Sequence, residues 1–332
     1  MRERFPMPIP FGWFFIGYSD ELKAGDLKSV HYFGEDLVLF RTESGAAGVM
    51  EAYCPHLGAH LGHGGKVDGE AVRCPFHAWA FNTEGACVDV PYAKVIPPAA
   101  RRPGCIRSYP VCEKNGVVWV WYHPDNIAPT FEVIEREETI SPEWSAQQRF
   151  FWAFGSNPQE IAENGVDVAH FRYVHKMDAV PEGETTYADH VRRSVVRGER
   201  TVTMPDGQTR VVNSEIEVIQ NGAGQKFTRF KGIADLMLQV LVTPVERDSC
   251  ELRFSFTHPK FEPGSFEDKV IQQAIAGTIG QTGVEGDIPI WHNKIHRARP
   301  ILCDGDGPVL MFRKYFSQFY PDSREPTRVA AE

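Results

Sequence analysis

Two short stretches of this 332-residue chain carry metal chemistry in their residue types and spacing. "CPHLGAHLGHGG" supplies Cys54 and His56, and seventeen residues later "CPFHAW" supplies Cys74 and His77. Two Cys and two His in paired turns fit two different metals. Zinc takes both donor types in closed tetrahedral sites. A two-iron cluster with a pair of Cys on one iron and a pair of His on the other takes the same set. The arrangement favours the cluster, because each turn contributes one Cys and one His, whereas zinc more often pairs C-x-x-C turns or places two His several residues apart. Pro55 and Pro75 stiffen the turns, and Gly58 permits close backbone approach. His60 and His63 fall outside the pattern and read as solvated loop residues.

A second group lies about a hundred residues on. "ENGVDVAHFRYVH" places Asn164, Asp167, His170 and His175 in the pattern N-x-x-D-x-x-H-x-x-x-x-H. Two His and a later carboxylate make a facial triad for non-heme Fe(II), which leaves positions open for dioxygen and substrate. A spacing of five does not put two side chains on one helix face, where three or four is needed. Convergence of His170 and His175 on one ion therefore requires a bulged or broken helix. The carboxylate comes from "VEGDIPIWHNK", with Asp287 and Glu285 as competitors. His292 and His296 are an alternative pair, although a solvated helix face explains them equally well.

These residues need elements to position them. From Val30 to Tyr122 the chain is rich in short β signals, among them "DLVLF", "GAAGVMEAY" and "GVVWVWY", with the Cys-His turns as loops between strands. The Pro-punctuated "HPDNIAPTFEVIEREETISPEW" marks a boundary, which divides the chain into domains 1–125 and 126–332. Beyond it come a strand-like "QQRFFWAFG" and a helix-like "NPQEIAENGVDVAHFRYVH". The middle reads as antiparallel sheet, in "TRVVNSEIEVIQ", "LMLQVLVTPV" and "CELRFSFTH". A helical pattern then runs through "FEDKVIQQAIAGTIGQTGVEGDIPIWHNKIHRA", disturbed by Gly283, Gly286 and Pro289. The fold class is α+β: a small all-β domain followed by a domain with a large antiparallel sheet.

Composition removes several functions. A net charge of −9 with no long basic run argues against nucleic acid. No apolar stretch reaches the roughly 20 residues of a membrane-spanning helix. Pro6, Pro8 and Pro10 break the N-terminal apolar run, which reads as mature fold and not as a signal peptide. Seven scattered Cys form no disulfide framework and suit a reducing cytoplasm. Cys87, Cys105, Cys112, Cys250 and Cys303 read as small buried hydrophobes. No Gly-rich dinucleotide fingerprint stands between a strand and a helix, so nicotinamide is expected to act only indirectly, through a reductase.

The two Cys-Pro loops resemble the cluster-binding loops of Rieske proteins. That resemblance implies a [2Fe-2S] cluster with Cys54 and Cys74 on the inner iron and His56 and His77 on the outer. Ala59 and Phe76 stand where respiratory Rieske proteins carry an extra disulfide, so the loops are of the oxygenase and ferredoxin type. Both groups, in this order, resemble the terminal oxygenase of a Rieske non-heme iron system. "DIPIWHNKIHRARPILCDGDGPVLMFRKYFSQFY" and "VPYAKVIPP" are similar to the oxygenase component of 3-ketosteroid 9α-hydroxylase and related sterol-modifying enzymes.

The family implies a helix-grip (START-like) catalytic domain and a mononuclear Fe(II) held by His170, His175 and Asp287, with O2 as co-substrate. It gives Asp167 the role of a bridge from an iron-ligating His to His77 or His56 of a neighbouring chain, hence a head-to-tail homotrimer. Asn164 is a further catalytic candidate. Electrons would come from a separate reductase or ferredoxin, and the substrate would be steroid-like. Phe227, Phe230, Leu236, Met237, Leu238 and Val240 are candidates for its apolar cavity. Hydroxylation is the first expectation; desaturation and oxidative C-4 demethylation are alternatives within the family, and a plain Rieske electron carrier is an alternative of another class.

Overall fold

The computed structural model describes residues 4–177, 182–232 and 235–321. The chain divides into two compact units, one of residues Gly12–Glu132 and one that joins Met1–Phe11 to Val133–Glu332.

The smaller unit is all β. Its strands are β1 (Gly12–Tyr18), β2 (Leu27–Tyr32), β3 (Glu35–Arg41), β4 (Ala47–Glu51), β5 (Lys66–Asp68), β6 (Ala71–Arg73), β7 (Ala80–Asn82), β8 (Cys87–Asp89), β9 (Ser108–Tyr109), β10 (Val111–Lys114) and β11 (Val117–Tyr122). They form three antiparallel sheets in the orders β1-β11-β10, β2-β3-β4-β9 and β5-β6-β7-β8. The run "VVWVWY" has no polar face because β11 is buried at every residue and lies between β1 and β10. Val38, Phe40, Met50, Leu61, Val72 and Phe81 share one core with Cys54 and Cys74, which seats the two Cys-His loops on a buried core.

The larger unit is built on β12 (Gln148–Phe154), β13 (Glu182–Ala188), β14 (Val191–Thr203), β15 (Thr209–Asn221), β16 (Gln225–Lys231), β17 (Leu236–Glu246) and β18 (Ser249–Thr257). These make one antiparallel sheet in the order β12-β18-β17-β16-β15-β14-β13. Its helices are α1 (Pro158–Glu163), α2 (Ala169–Tyr173), α3 (Phe266–Ile279), α4 (Val284–Asn293) and α5 (Val309–Phe316). Ile271 and Ile275 of α3, and Val284 and Trp291 of α4, bury against Leu238, Val240, Leu252 and Phe254 of the sheet. This is the expected helix-grip arrangement.

Local sequence accounts for most of these elements, and several differences are instructive. Asn157 caps α1 by accepting from the Gln159 N–H, with Pro158 at the first helical position, where its missing N–H costs nothing. The long helical pattern breaks once, at Gly280–Gly283, into α3 and α4, while Gly286 and Pro289 sit inside α4. β1, β13 and α5 had no clear signal, whereas β14 and β16 fall in the stretch from about Ala188 to Pro259 expected to be sheet, although "VRRSVVRGERTVT" itself is charged and polar. Residues 4–11, expected with the cluster domain, belong to the larger unit. The physical reason is Arg4, whose guanidinium donates to the carbonyls of Trp291, His292 and Lys294 and so satisfies the open C-terminal end of α4. Cys303, expected to be buried, is exposed, whereas Cys87 and Cys250 are buried. Among the described residues no helix is long and apolar enough to cross a membrane.

Candidate active site

The two Cys-Pro turns share one backbone design. In each, the Cys N–H bonds the carbonyl five residues on (Cys54 to Ala59, Cys74 to Trp79), and the Cys carbonyl accepts from the N–H four residues on (Gly58, Ala78). The fifth residue of the turn takes positive φ in both, +76° at Gly58 and +60° at Ala78. A Cβ on Gly58 would meet nothing within 4 Å, so that glycine is required by the turn itself and not by close approach of a neighbour. Ala78 takes the same conformation without glycine's freedom. Arg73, held by Asp68 and Asp89, donates to the Ala78 carbonyl at 2.8 Å and pins it.

Folding brings the donors together in like pairs. The Cys54 thiol is hydrogen-bonded to Cys74, and burial first, then that neighbour, pushes it up to about 12. The His56 and His77 rings lie 4.8 Å apart. His56 stacks on Trp79 at 4.6 Å, and His77 lies against Phe76 at 3.8 Å. The Nδ1 of His77 is buried and has no hydrogen-bond partner among the described residues. Two buried Cys side by side, with two imidazoles beside them and the Nδ1 of His77 open, fit a cluster with Cys on one iron and His on the other. His60 and His63 turn to each other, with rings 4.4 Å apart, and His60 accepts from the Gly62 N–H.

In the larger unit one ligand atom from each of His170, His175 and Asp287 comes within 4.8 Å of the others. On a regular helix, residues five apart point about 140° away from each other. The helix therefore has to fail, and it does. α2 ends at Tyr173, the His170 carbonyl accepts from both Val174 and His175, and Lys176 takes φ +59°. This widened last turn swings His175 back until the two imidazoles are 4.8 Å apart. Asp287 arrives from α4, with its Oδ2 at 3.4 Å from His175 Nε2. Gly286 makes room for that approach, since a Cβ there would lie 3.2 Å from Val174 Cγ1 and 2.6 Å from the Gln281 carbonyl.

The surroundings orient each donor. His170 Nδ1 donates to the main-chain carbonyl of Asp167, which leaves Nε2 to face the metal position. Asp167 Oδ1 also accepts from the His170 N–H at 3.3 Å. Asn164 donates to the Asp287 carboxylate while its Oδ1 accepts from Trp291 Nε1 at 3.2 Å. Burial raises Asp287 to about 7, opposed by the charge of Lys226, and burial lowers His170. A carboxylate this reluctant to ionise alone, set against two imidazoles, is a fitting seat for a divalent ion. The competing ligands go elsewhere. Glu285 bonds Gln281, His292 accepts from the Gly155 N–H, and His296 pairs with Glu160 at 2.7 Å.

His170, His175 and Asp287 line a cavity of about 660 Å³ between the sheet and helices α3 and α4. That is within the roughly 300–1,000 Å³ of small-molecule sites. Phe230, Leu236, Leu238 and Val240 line it as expected, but Phe227 and Met237 do not, because strand alternation sends them to the other face of the sheet. Lys226 lines the cavity as well, and no sequence signal marked it beyond its place in the alternation.

Comparison with known proteins gives this geometry its class. The family pattern of the Rieske [2Fe-2S] domain matches residues 12–110, and that of the 3-ketosteroid 9alpha-hydroxylase C-terminal domain matches residues 120–320. Two relatives are a 3-ketosteroid-9-alpha-monooxygenase oxygenase component of Rhodococcus rhodochrous, 32% identical over 96% of this chain and 82% of its own length, and a cholesterol 7-desaturase of Xenopus laevis, 31% identical over 97% and 74%. Among solved structures, dicamba monooxygenase bound to dicamba aligns with TM-score 0.71 at 18% identity, covering 94% of this chain and 98% of its own, a likeness of fold.

The protein is a Rieske non-heme iron oxygenase, with a [2Fe-2S] cluster, a mononuclear iron and O2 as co-substrate. Within that class, the chain belongs to the family defined by the 3-ketosteroid 9α-hydroxylase C-terminal domain.

Proposed function

We propose that this protein is the terminal oxygenase of a multicomponent system that hydroxylates a steroid-like substrate, with electrons from a separate reductase or ferredoxin. The observation that carries this reading is the gathering of His170, His175 and Asp287 at the wall of a largely apolar cavity. Cys54 and Cys74 would hold one iron of the cluster, His56 and His77 the other, and His170, His175 and Asp287 the mononuclear ion. When bound, the cluster supplies single electrons and the mononuclear iron activates dioxygen for attack on a C–H bond.

The chain's own residues do the rest. Asp167 sets the tautomer of His170 through its carbonyl and carries a side chain at the start of α2. In our reading that carboxylate bridges to a cluster-ligating His of a neighbouring copy, which requires a closed ring, most simply a homotrimer. Asn164 fixes the Asp287 carboxylate through its bond to Trp291 and so acts as a positioning residue. The apolar sheet face receives the fused-ring skeleton and keeps water from the ligands. All seven cysteines are free, which supports a cytoplasmic setting.

A second reading is desaturation, favoured by the cholesterol 7-desaturase relatives at nearly the same identity as the monooxygenases. Reconstitution with a reductase, NADH and a steroid panel separates the two. A product heavier by one oxygen supports hydroxylation, and a product lighter by two hydrogens supports desaturation. Turnover of aromatic acids with no turnover of steroids would overturn both.

A further inference from the structure

The cavity wall contains a cation that metal binding does not use. β16 sends Lys226, Thr228 and Phe230 to the cavity face. Across the sheet Lys226 stands in register between Gln220 and Val240, and beyond Gln220 comes Arg192, so one row reads Arg192, Gln220, Lys226, Val240, Phe254. Arg192 is fully buried and already engaged, with Gln220 Oε1, the Gly165 carbonyl and Ser194 Oγ as acceptors. Lys226 differs: its ammonium makes no hydrogen bond or ion pair with any described residue.

The charged groups that face it come from three elements. Arg192 of β14 repels it, Asp287 of α4 attracts it, and it in turn opposes protonation of His170 of α2. Asp287 is turned to His175 at 3.4 Å and is the carboxylate we assign to the metal, so it does not belong to Lys226. A donor left without an acceptor in a largely apolar wall is costly unless something that enters the cavity satisfies it. The neighbouring wall of Val240, Leu252 and Phe254 offers no acceptor side chain.

We propose that Lys226 is the polar anchor of the substrate: it donates a hydrogen bond to an oxygen atom of the steroid, a ketone or a carboxylate, and thereby decides which end of the ring system lies beside His170, His175 and Asp287. A rigid apolar skeleton in an apolar cavity can slide and flip, and one well-placed donor removes that freedom. The oxidised carbon is then fixed relative to an existing oxygen substituent. This inference rests on the steroid reading above.

The test is equilibrium dialysis of the holoenzyme against a 3-keto steroid, its 3-deoxy analogue and a steroid carboxylic acid, for the wild type, Lys226→Met and Lys226→Arg. Loss of a charge-assisted hydrogen bond predicts that Lys226→Met weakens the oxygenated ligand by about 10- to 100-fold. The 3-deoxy analogue should bind the variant as it binds the wild type, and Lys226→Arg should recover most of the loss. Whether the ketone or the acid responds identifies the oxygen. In turnover, Lys226→Met should spread oxidation over more than one carbon, which a merely structural change would not do. Should Lys226→Met fail to fold, Lys226→Gln, one atom shorter, keeps a neutral donor and should retain part of the ketone binding while losing any preference for the acid. Equal weakening of all three ligands, or of none, overturns the anchor. If the wild type binds no steroid at all, the substrate class itself is wrong and the anchor falls with it.

Discussion

The two metal regions of this chain are built in opposite ways. The cluster loops are local: each is a six-residue turn with the same two backbone hydrogen bonds and the same positive φ at its fifth residue, set on a buried core. The iron region is assembled. The ligands we propose for it come from a helix end, a widened turn and a second helix more than a hundred residues away, and they meet only because α2 stops at Tyr173 and Gly286 lets α4 close in. A locally encoded site survives damage to distant contacts. An assembled site depends on them, and that difference can be tested.

The sharpest test removes one ligand from each region. Asp287→Ala should abolish turnover and cost one iron per chain while leaving the visible absorption of the cluster intact. Cys54→Ser should abolish that absorption and leave the strand content of the larger unit unchanged by circular dichroism. If either substitution removes both metals, the regions are not independent.

Next in size is the scaffold of the assembled site. Burial would push the Glu160 carboxyl up, but the hydrogen bond from His296 and the charge of Lys294 hold it down to about 2. That pair ties α1, which leads to Asn164, to the segment after α4. Glu160→Gln breaks it and should cost on the order of 3 kcal/mol in denaturant unfolding. Since the folded pKa lies below the ordinary 4.5, the unfolded chain binds the proton first. The contribution is therefore complete above that value and lost as pH falls from about 4.5 toward about 2. The acid sensitivity of the larger unit should diminish in Glu160→Gln. Asn164→Ala is milder, with a loss of about 10- to 100-fold in iron affinity by metal competition and no change in the cluster spectrum.

The smallest effects come from the paired turns. Gly58→Ala has empty space for its Cβ, so its cost is backbone strain alone, about 1–2 kcal/mol. Ala78→Gly relieves the same strain but loosens the unfolded chain, and should raise stability by less than about 1 kcal/mol. Shifts of the same sign at the two positions would mean that the turns are not equivalent.

The same contrast explains what the sequence revealed. The meeting of Cys54 with Cys74 and of His56 with His77 was legible because the geometry of each turn is written within a few residues. The five-residue gap between His170 and His175 was legible as an anomaly, but its resolution needed a tertiary cause, the widened turn that no residue in "AHFRYVH" announces. Asp287 could be separated from Glu285 only by knowing which face α4 turns inward. Met237 reads as a cavity residue because the apolar run of β17 hides its alternation; Phe227 and Phe230 are three apart and so face opposite sides of β16, and Lys226, in a strand that also holds Arg229 and Lys231, reads as surface. β14 shows no apolar alternation in "VRRSVVRGERTVT", yet its Arg192, Ser194 and Val196 are buried, one of them a charge.

The most direct measurement of the central claim is single-turnover oxidation under 18O2 of a 3-keto steroid by the reduced, iron-loaded protein, with no donor present. A cluster that serves a dioxygen-activating iron in this cavity predicts re-oxidation of the cluster together with steroid that has gained one labelled oxygen, and neither event in Asp287→Ala. Re-oxidation at the same rate in wild type and Asp287→Ala, with the steroid unchanged in both, would contradict it.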